Sequence, residues 1–255
     1  MSLLSTNSLA VSIAGQQICR DLSFQVETGQ CWGILGKNGA GKTTLLHTLA
    51  GLGHIDNGDI LFNNIPINTL SHREIARHIG VLFQHQHDPF PGTVLESVLI
   101  GRHPWLKPWQ WESDEDVQQA TAALQQVDLG GFESRQIQTL SGGEHQRMNI
   151  ATLLVQDPEL MLLDEPANHL DLHHQINLLE LLVNNIRTKN KSMMMVMHDI
   201  NLAARFCDHL LMIFENGETL HGPAEKILHR KHIEKLYQHP VNTIESAHGT
   251  VWMPA

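Results

Sequence analysis

The sequence is poor in cysteine, in basic residues and in long apolar runs, and each shortage excludes something. Its 255 residues contain three cysteines, Cys19, Cys31 and Cys207. The number is odd and no pair has metal-ligand spacing, so a disulfide framework and a zinc cage are both disfavoured and reduced thiols of a cytosolic protein are expected. Lysine and arginine total 17 against 27 acids, a net charge of −10, and form no long run. A phosphate-backbone binder normally shows a basic face, so no nucleic-acid partner is expected. No stretch approaches about 18 consecutive apolar residues, so the chain does not itself span a membrane. The start carries the short apolar run Leu9 to Ala14 without a basic flank, which predicts a first strand rather than a secretion signal. The 19 glycines and 10 prolines are near ordinary usage and exclude collagen-like repetition or broad disorder.

Apolar residues make up 42% of the chain, enough for one large α/β core. Leu22, Phe24 and Val26 alternate with polar residues, the period of a half-buried strand. Asn57-Gly58 reads as a turn into another such strand, so the N-terminal pieces predict a small antiparallel sheet. Cys31 to Leu35, Val81 to Phe83, Leu160 to Leu163 and Met193 to Met197 are continuously apolar, as strands of a parallel sheet covered on both faces would be. From about Thr93 to Val155 the pattern is helical, with a polar insert at 104–116 holding Trp105, Trp109 and Trp111. That insert is either an exposed contact surface or a satellite core. Leu210 to Phe214, Asn216-Gly217 and Thr219 to His221 predict a hairpin, and Ala224 to Tyr237 one helix. The last fifteen or so residues carry no pattern. Eighteen histidines include His85-Gln86-His87 and His173-His174, read as scattered surface and site residues rather than a metal cluster.

Gly36-Lys37-Asn38-Gly39-Ala40-Gly41-Lys42-Thr43 fits G-x-x-x-x-G-K-[ST] between an apolar strand and a helix carrying Leu45, Leu46 and Leu49. Glycines let the backbone wrap a phosphate chain with N–H groups turned inward, and the helix start adds its uncovered donors and positive dipole end. Lys42 is suited to the β- and γ-phosphates and the Thr43 hydroxyl to Mg²⁺; Thr44 completes the expected nucleotide contacts. A nucleoside triphosphate is the expected ligand.

Leu160 to Leu163 runs into Asp164-Glu165-Pro166. Neighbours on a strand point to opposite sides, so two adjacent acids can take different tasks: Asp164 at Mg²⁺, Glu165 at the water that attacks the γ-phosphate. The plainer alternative is that both merely cap the next helix.

Leu140-Ser141-Gly142-Gly143-Glu144 is an S-x-x-E capping box with two glycines in the first turn, where an anion could dock. Here the sequence resembles the ATP-binding subunits of ABC transporters, whose signature is LSGGQ or LSGGE. The resemblance covers nearly the whole chain and keeps the family's order: phosphate loop, Gln84 after Val81-Leu82-Phe83, signature, Asp164-Glu165, the loop Asn168-His169-Leu170-Asp171, then His198.

The resemblance implies an α/β P-loop NTPase fold, RecA-like, with an antiparallel β subdomain and a helical subdomain inserted at about 88–155, all one ABC ATPase domain spanning 1–255. It implies ATP and Mg²⁺ as cofactors, with Thr43, Gln84 and Asp164 at the metal. It implies a head-to-tail pair of chains, each ATP lying between the phosphate loop of one copy and Ser141-Gly142-Gly143 of the other, with Asp171 across the interface. Glu165 then becomes the general base and His198 the γ-phosphate contact. Permease subunits in the membrane are the implied partners, with a periplasmic solute-binding protein acting through them, and the chain belongs at the cytoplasmic face as a peripheral subunit.

Ile13 falls where the family commonly stacks an aromatic on adenine, and His145 and Thr152 stand where arginine is frequent. Gly101-Arg102-His103-Pro104 and the stretch from His198 to Asp208 resemble the branch that imports iron-siderophores, haem and vitamin B12. An ATPase energising a bacterial importer of a metal chelate or corrinoid, with a lean toward cobalamin, is therefore expected. The alternatives are another class of ABC transporter or a soluble ABC ATPase without a transport role.

Overall fold

The computed structural model describes residues 2–84, 91–168, 170–246 and 249–255. They form two compact units, one of residues 1–70 with 192–255 and the other of 71–191.

The first unit begins with β1 (Ser2–Ile13), β2 (Gln16–Leu22) and β3 (Gln25–Glu27), then β4 (Cys31–Gly36) and α1 (Lys42–Leu49), then β5 (Asn57–Phe62) and β6 (Ile65–Pro66). β2-β1-β5-β6 form the expected antiparallel sheet, with β3 also on β1. The single strand expected across Leu22, Phe24 and Val26 is broken in two. Thr6 explains how the alternation survives the break: its hydroxyl donates to Leu22 O (2.8 Å) and accepts from Phe24 N (3.2 Å), so a side chain replaces part of the ladder.

The second unit follows with α2 (His72–His78), β7 (Ile79–Leu82), α3 (Val94–Leu99), α4 (Asp114–Gln126), α5 (Gly142–Gln156), β8 (Leu160–Asp164) and α6 (Leu172–Lys189). β7 and β8 pair in parallel, Leu82 opposite Leu163. Four helices start on complete capping boxes: Ser71 with Glu74, Thr93 with Glu96, Ser113 with Asp116 and Ser141 with Glu144. Each ties two otherwise unpaired helix-start groups to side chains and contributes about 1 kcal/mol. Asp157 and Asn190 close α5 and α6 in the left-handed region. The tryptophans of the insert divide: Trp109 and Trp111 are 99% and 86% exposed, whereas the Trp105 indole donates to Gln156 O (2.9 Å) beneath Arg77.

The chain returns to the first unit through β9 (Ser192–Val196), α7 (Ile200–Phe206), β10 (His209–Ile213), β11 (Thr219–Pro223), α8 (Ala224–Ile227), α9 (Arg230–Tyr237), β12 (Val241–Ser246) and β13 (Gly249–Pro254). Here β4 runs parallel between β9 and β10, and β11 is the hairpin partner of β10. β4 is buried along its whole length and Met193, Met194 and Met195 are fully buried, so the methionine run fills the core. The helix expected over 224–237 is two helices, broken at Leu228-His229. The patternless tail forms an antiparallel hairpin of its own, β12 with β13.

Among the described residues no helix is long and apolar enough to cross a membrane. The three cysteines are buried thiols.

Candidate functional site

In the first unit β4 and β10 end level with each other and β9 stops just short of them, and the candidate residues of this unit lie beyond that edge. Ile34 is level with Val196, and Gly36 with Ile213. Beyond Gly36 the chain turns through Lys37, Asn38, Gly39 and Ala40, where Ala40 N bonds Lys37 O (3.2 Å); Asn38 and Gly39 are exposed and Ala40 is buried. Gly39 and Gly41 have φ of +78° and +91°. Gly41 is required twice over, since a Cβ there would also lie 2.5 Å from Ile18 Cγ1. Gln16 Nε2 steadies the turn on Gly39 O (3.1 Å), and Lys37 is pinned to Glu215 (2.8 Å).

Gly41 caps α1 without a side chain, and the first turn holds no acid, so nothing of the protein's own charge competes with an anion at that helix start. Lys42 is buried, its ammonium donating to Gly36 O (2.9 Å) and Lys37 O (3.0 Å). Thr43 and Thr44 follow, half-buried. His198 is exposed just past β9, and Met197 N still bonds Ile34 O (3.1 Å). Continuing the register sets His198 level with Gly36, so phosphate loop and histidine share one edge of the sheet.

The second unit assembles the other group. Gln84 and Glu165 stand the same distance beyond the paired ends of β7 and β8, and Gln84 Nε2 donates to Glu165 Oε2 (3.0 Å). Asn168 Nδ2 donates to the same oxygen, and Asn168 N bonds Glu165 O (3.1 Å). Glu165 has φ +53°, a left-handed conformation that costs a non-glycine residue about 1–3 kcal/mol and persists where surrounding contacts impose it. It is nearly buried, and Asp164 beside it is wholly buried. Both acids sit past or at the strand end, not on a helix, so the reading in which they cap a helix does not describe them. The cap of α6 is Asp171, which accepts from His174 N (2.9 Å). That bond, and the His174 ring on the same carboxylate, hold Asp171 below the usual carboxylate range.

Ser141 begins α5 with its N–H on Glu144 Oε2 (2.7 Å) and its hydroxyl accepting Glu144 N (3.3 Å). The Ser141 N–H on its carboxylate, aided by the Ser141 side chain and by Arg135 at 3.0 Å, holds Glu144 below its ordinary range. Ser141 and Gly142 are exposed, Gly143 half so, and a Cβ on Gly142 would meet nothing within 4 Å. The glycine there clears space over the helix start rather than relieving a contact inside the unit. Gln146, one turn on, donates to Pro166 O (3.0 Å) and fixes the loop after the carboxylates to α5.

Two partners escaped the sequence reading. Asn168 was recognised only as part of a motif, although its three-residue offset from Glu165 across Pro166 suits a local turn. Gln16 gave no signal, because its contact with Gly39 joins the start of β2 to a loop distant in sequence. Ile13 is 51% exposed at the end of β1, and His145 bonds Asn149 (3.1 Å) within α5. His85, His87 and His169 lie outside the described residues. Among those described, no three His, Cys, Asp or Glu side chains cluster as a metal cage would.

Residues 19–168 match the ABC transporter family. The chain belongs to that family. ABC transporter ATP-binding proteins are ATPases, so this one binds and hydrolyses ATP. It is 37% identical over 238 residues to the petrobactin import ATP-binding protein of Bacillus anthracis, covering 92% of this chain and 86% of that one. It is 34% identical to the hemin import ATP-binding protein of Escherichia coli O157:H7, covering 92% of each. It is 35% identical to the ferric enterobactin transport ATP-binding protein of E. coli K12, covering 92% of this chain and 86% of that one. A solved structure assigned to the metal-chelate type of ABC transporter, in an inward-facing conformation, superposes with a TM-score of 0.87. That match has 26% identity and covers 100% of this chain and 98% of the other. The ABC ATPase fold expected from the signature is thus the fold of this chain.

Proposed function

We propose that this ABC ATPase energises a bacterial importer of an iron chelate or haem, working as a head-to-tail pair on membrane permease subunits. The observation that carries the hydrolytic half is Glu165: a nearly buried carboxylate, held in a left-handed conformation, with Gln84 and Asn168 both donating to Oε2. A carboxylate so fixed can orient a water and take its proton without first paying to become ordered. Lys42 supplies charge to the β- and γ-phosphates by exchanging its bonds to Gly36 O and Lys37 O for phosphate oxygens. The N–H groups of Gly39, Ala40, Gly41, Thr43 and Thr44 cradle the phosphate chain, and His198 contacts the γ-phosphate from the same strand edge.

The residues fit Mg²⁺. Thr43, Gln84 and Asp164 offer a hydroxyl, an amide oxygen and a carboxylate, the oxygen-only set this cation takes beside nucleotide phosphates. Held by these residues, Mg²⁺ would supply neutralisation of the phosphate charge. Gln84 would offer its amide oxygen to the cation while its amide nitrogen steadies the proposed base, Glu165. A hydrogen bond to a charged group contributes about 1.5–3 kcal/mol, small enough to be remade in each cycle.

Ser141, Gly142 and Gly143 are proposed to close on the γ-phosphate of the second copy's nucleotide, with Asp171 at the boundary between copies. The open space over Gly142 supports this reading. The helical subdomain is proposed to comprise about 88–155. The chain is proposed to act as a peripheral subunit at the cytoplasmic face, with a periplasmic solute-binding protein upstream of the permease.

For the solute, the relatives above are named as ATP-binding proteins of petrobactin import, hemin import and ferric enterobactin transport. None of those three names is a corrinoid, so the earlier lean toward cobalamin lacks support and an iron chelate or haem is the proposed class. The test is uptake of labelled haem, a ferric siderophore and cobalamin in a deletion strain carrying either wild type or Glu165→Gln. One iron-bearing solute entering with wild type alone supports the proposal; uptake of all three independent of this gene removes the importer assignment.

A further inference from the structure

The C-terminal hairpin has no part in the proposed chemistry, yet it is bound to the helix that follows His198. β9 is fixed at its end by Met197 N on Ile34 O (3.1 Å). Asp199 then caps α7, its carboxylate accepting from Asn201 N (2.7 Å) and Leu202 N (3.2 Å). His198 is therefore the single residue between a strand end tied to β4 and a helix cap, and the placement of α7 sets where its exposed imidazole sits. α7 is held from outside by the tail. Asn201 Nδ2 donates to Trp252 O (3.1 Å), and Asn201 Oδ1 accepts the Trp252 N–H (2.8 Å).

This paired contact is what one strand residue offers another across an antiparallel ladder. The Asn201 side-chain amide acts as a one-residue extra strand on the edge of β13, on the side turned away from β12. Trp252 lies opposite Thr243 of β12, so the hairpin presents a braced backbone edge rather than a loose tail. The hairpin is braced in turn: Val241 N donates to Glu234 of α9 (3.1 Å), and Ala255 N to Pro240 O (3.0 Å). A lone two-stranded hairpin is marginal in water, so these contacts keep it formed.

We propose that the C-terminal hairpin is a positioning element for hydrolysis, holding His198 in register with the phosphate loop through the Asn201–Trp252 pair. Asn201 is thus a positioning residue, not a catalytic one. The inference rests on the reading of His198 as the γ-phosphate contact. A displacement of about 1 Å in a reacting group can cost up to about a hundredfold in rate, so releasing α7 should act on turnover rather than on ATP capture by the phosphate loop.

The test is ATP turnover and binding of a fluorescent ATP analogue by the full-length chain with Mg²⁺. Variants are Asn201→Ala, Trp252→Pro, Trp252→Phe, His198→Ala and the Asn201→Ala/His198→Ala double. Asn201→Ala should lower kcat about tenfold with KM and analogue affinity within about twofold. Trp252→Pro, which removes the N–H that Asn201 accepts, should reproduce the loss, and Trp252→Phe, which keeps it, should not. The double variant should be no slower than His198→Ala alone, because both changes remove one effect. If His198→Ala is slow but Asn201→Ala turns over like wild type, or the two losses multiply, the hairpin does not act through His198 and the inference is overturned while the site reading stands. If His198→Ala itself turns over like wild type, the site reading falls and takes the inference with it. Thermal melting monitors folding; should Asn201→Ala melt far below wild type, Trp252→Pro against Trp252→Phe decides, since both leave α7 intact.

Discussion

Gly41 gives the sharpest energetic test of how the phosphate loop is built. Replacing it by alanine imposes two separate costs. Its φ of +91° lies outside what an L-residue adopts freely, which costs about 1–2 kcal/mol. The new methyl would also meet Ile18 Cγ1, Cδ1 and Cγ2 at 2.5, 2.7 and 2.8 Å, closer than atoms of a packed core approach, and such overpacking costs about 1–3 kcal/mol. Together Gly41→Ala should destabilise the chain by about 2–5 kcal/mol. Ile18 is 1% exposed, so Ile18→Ala alone should cost about 2–5 kcal/mol as a cavity. In the double variant the added methyl occupies part of the space that Ile18 leaves, so the steric component vanishes and only the backbone component remains. The double loss should fall short of the sum by at least about 1 kcal/mol. Urea unfolding of the four proteins without nucleotide measures this. Strict additivity would show that Ile18 does not press on the loop and would refute the packing argument, whatever happens to ATP binding.

Other consequences are more direct. Trp109→Ala and Trp111→Ala should leave stability within about 0.5 kcal/mol by urea unfolding, because both rings lie in solvent, whereas Trp105→Ala removes an indole bond to Gln156 O and should cost about 1–3 kcal/mol. Tyr237 is the single tyrosine, so phenolate absorbance reads it alone; burial, helped by the Asp199 charge, pushes it up to about 12 from an ordinary 10. The folded state keeps this phenol protonated, so its contribution is full below pH 10 and is lost as pH rises through 12; Asp199→Asn should move the titration midpoint downward. Lys42→Ala should weaken binding of a fluorescent ATP analogue while leaving the fold's circular dichroism unchanged, since the lost bonds are to the loop's own carbonyls.

What could be read from the sequence was whatever local chemistry demands. The phosphate loop was legible because its glycines serve a conformation, and Gly41 does take a left-handed φ. The buried strands at Cys31, Leu160 and Met193 were legible because strands covered on both faces need unbroken apolar runs. The capping box at Ser141 was legible from its spacing, and three others with the same logic, at Ser71, Thr93 and Ser113, were there to be found. The break at Leu228-His229 had no glycine or proline to announce it, and α9 restarts at His229 without a side-chain cap. The tail hairpin was hidden for a different reason. Val241 to Pro254 mixes polar and apolar residues on both faces, and the contacts that brace it, Asn201 with Trp252 and Glu234 with Val241, join residues that no local pattern connects. Among the candidate residues the same division holds: Gln84, Glu165 and His198 stand out in the sequence by motif and order, but that Gln84 and Asn168 meet on one oxygen of Glu165 is a property of the fold.

The central claim, that Glu165 drives hydrolysis in a nucleotide shared between two copies, is tested most directly by the mass of Glu165→Gln in solution. With ATP and Mg²⁺ the variant should elute as a dimer carrying two unhydrolysed ATP molecules, and Lys42→Ala introduced beside it should return the chain to a monomer. A Glu165→Gln chain that stays monomeric with saturating ATP, or that turns over ATP like wild type, would contradict the account.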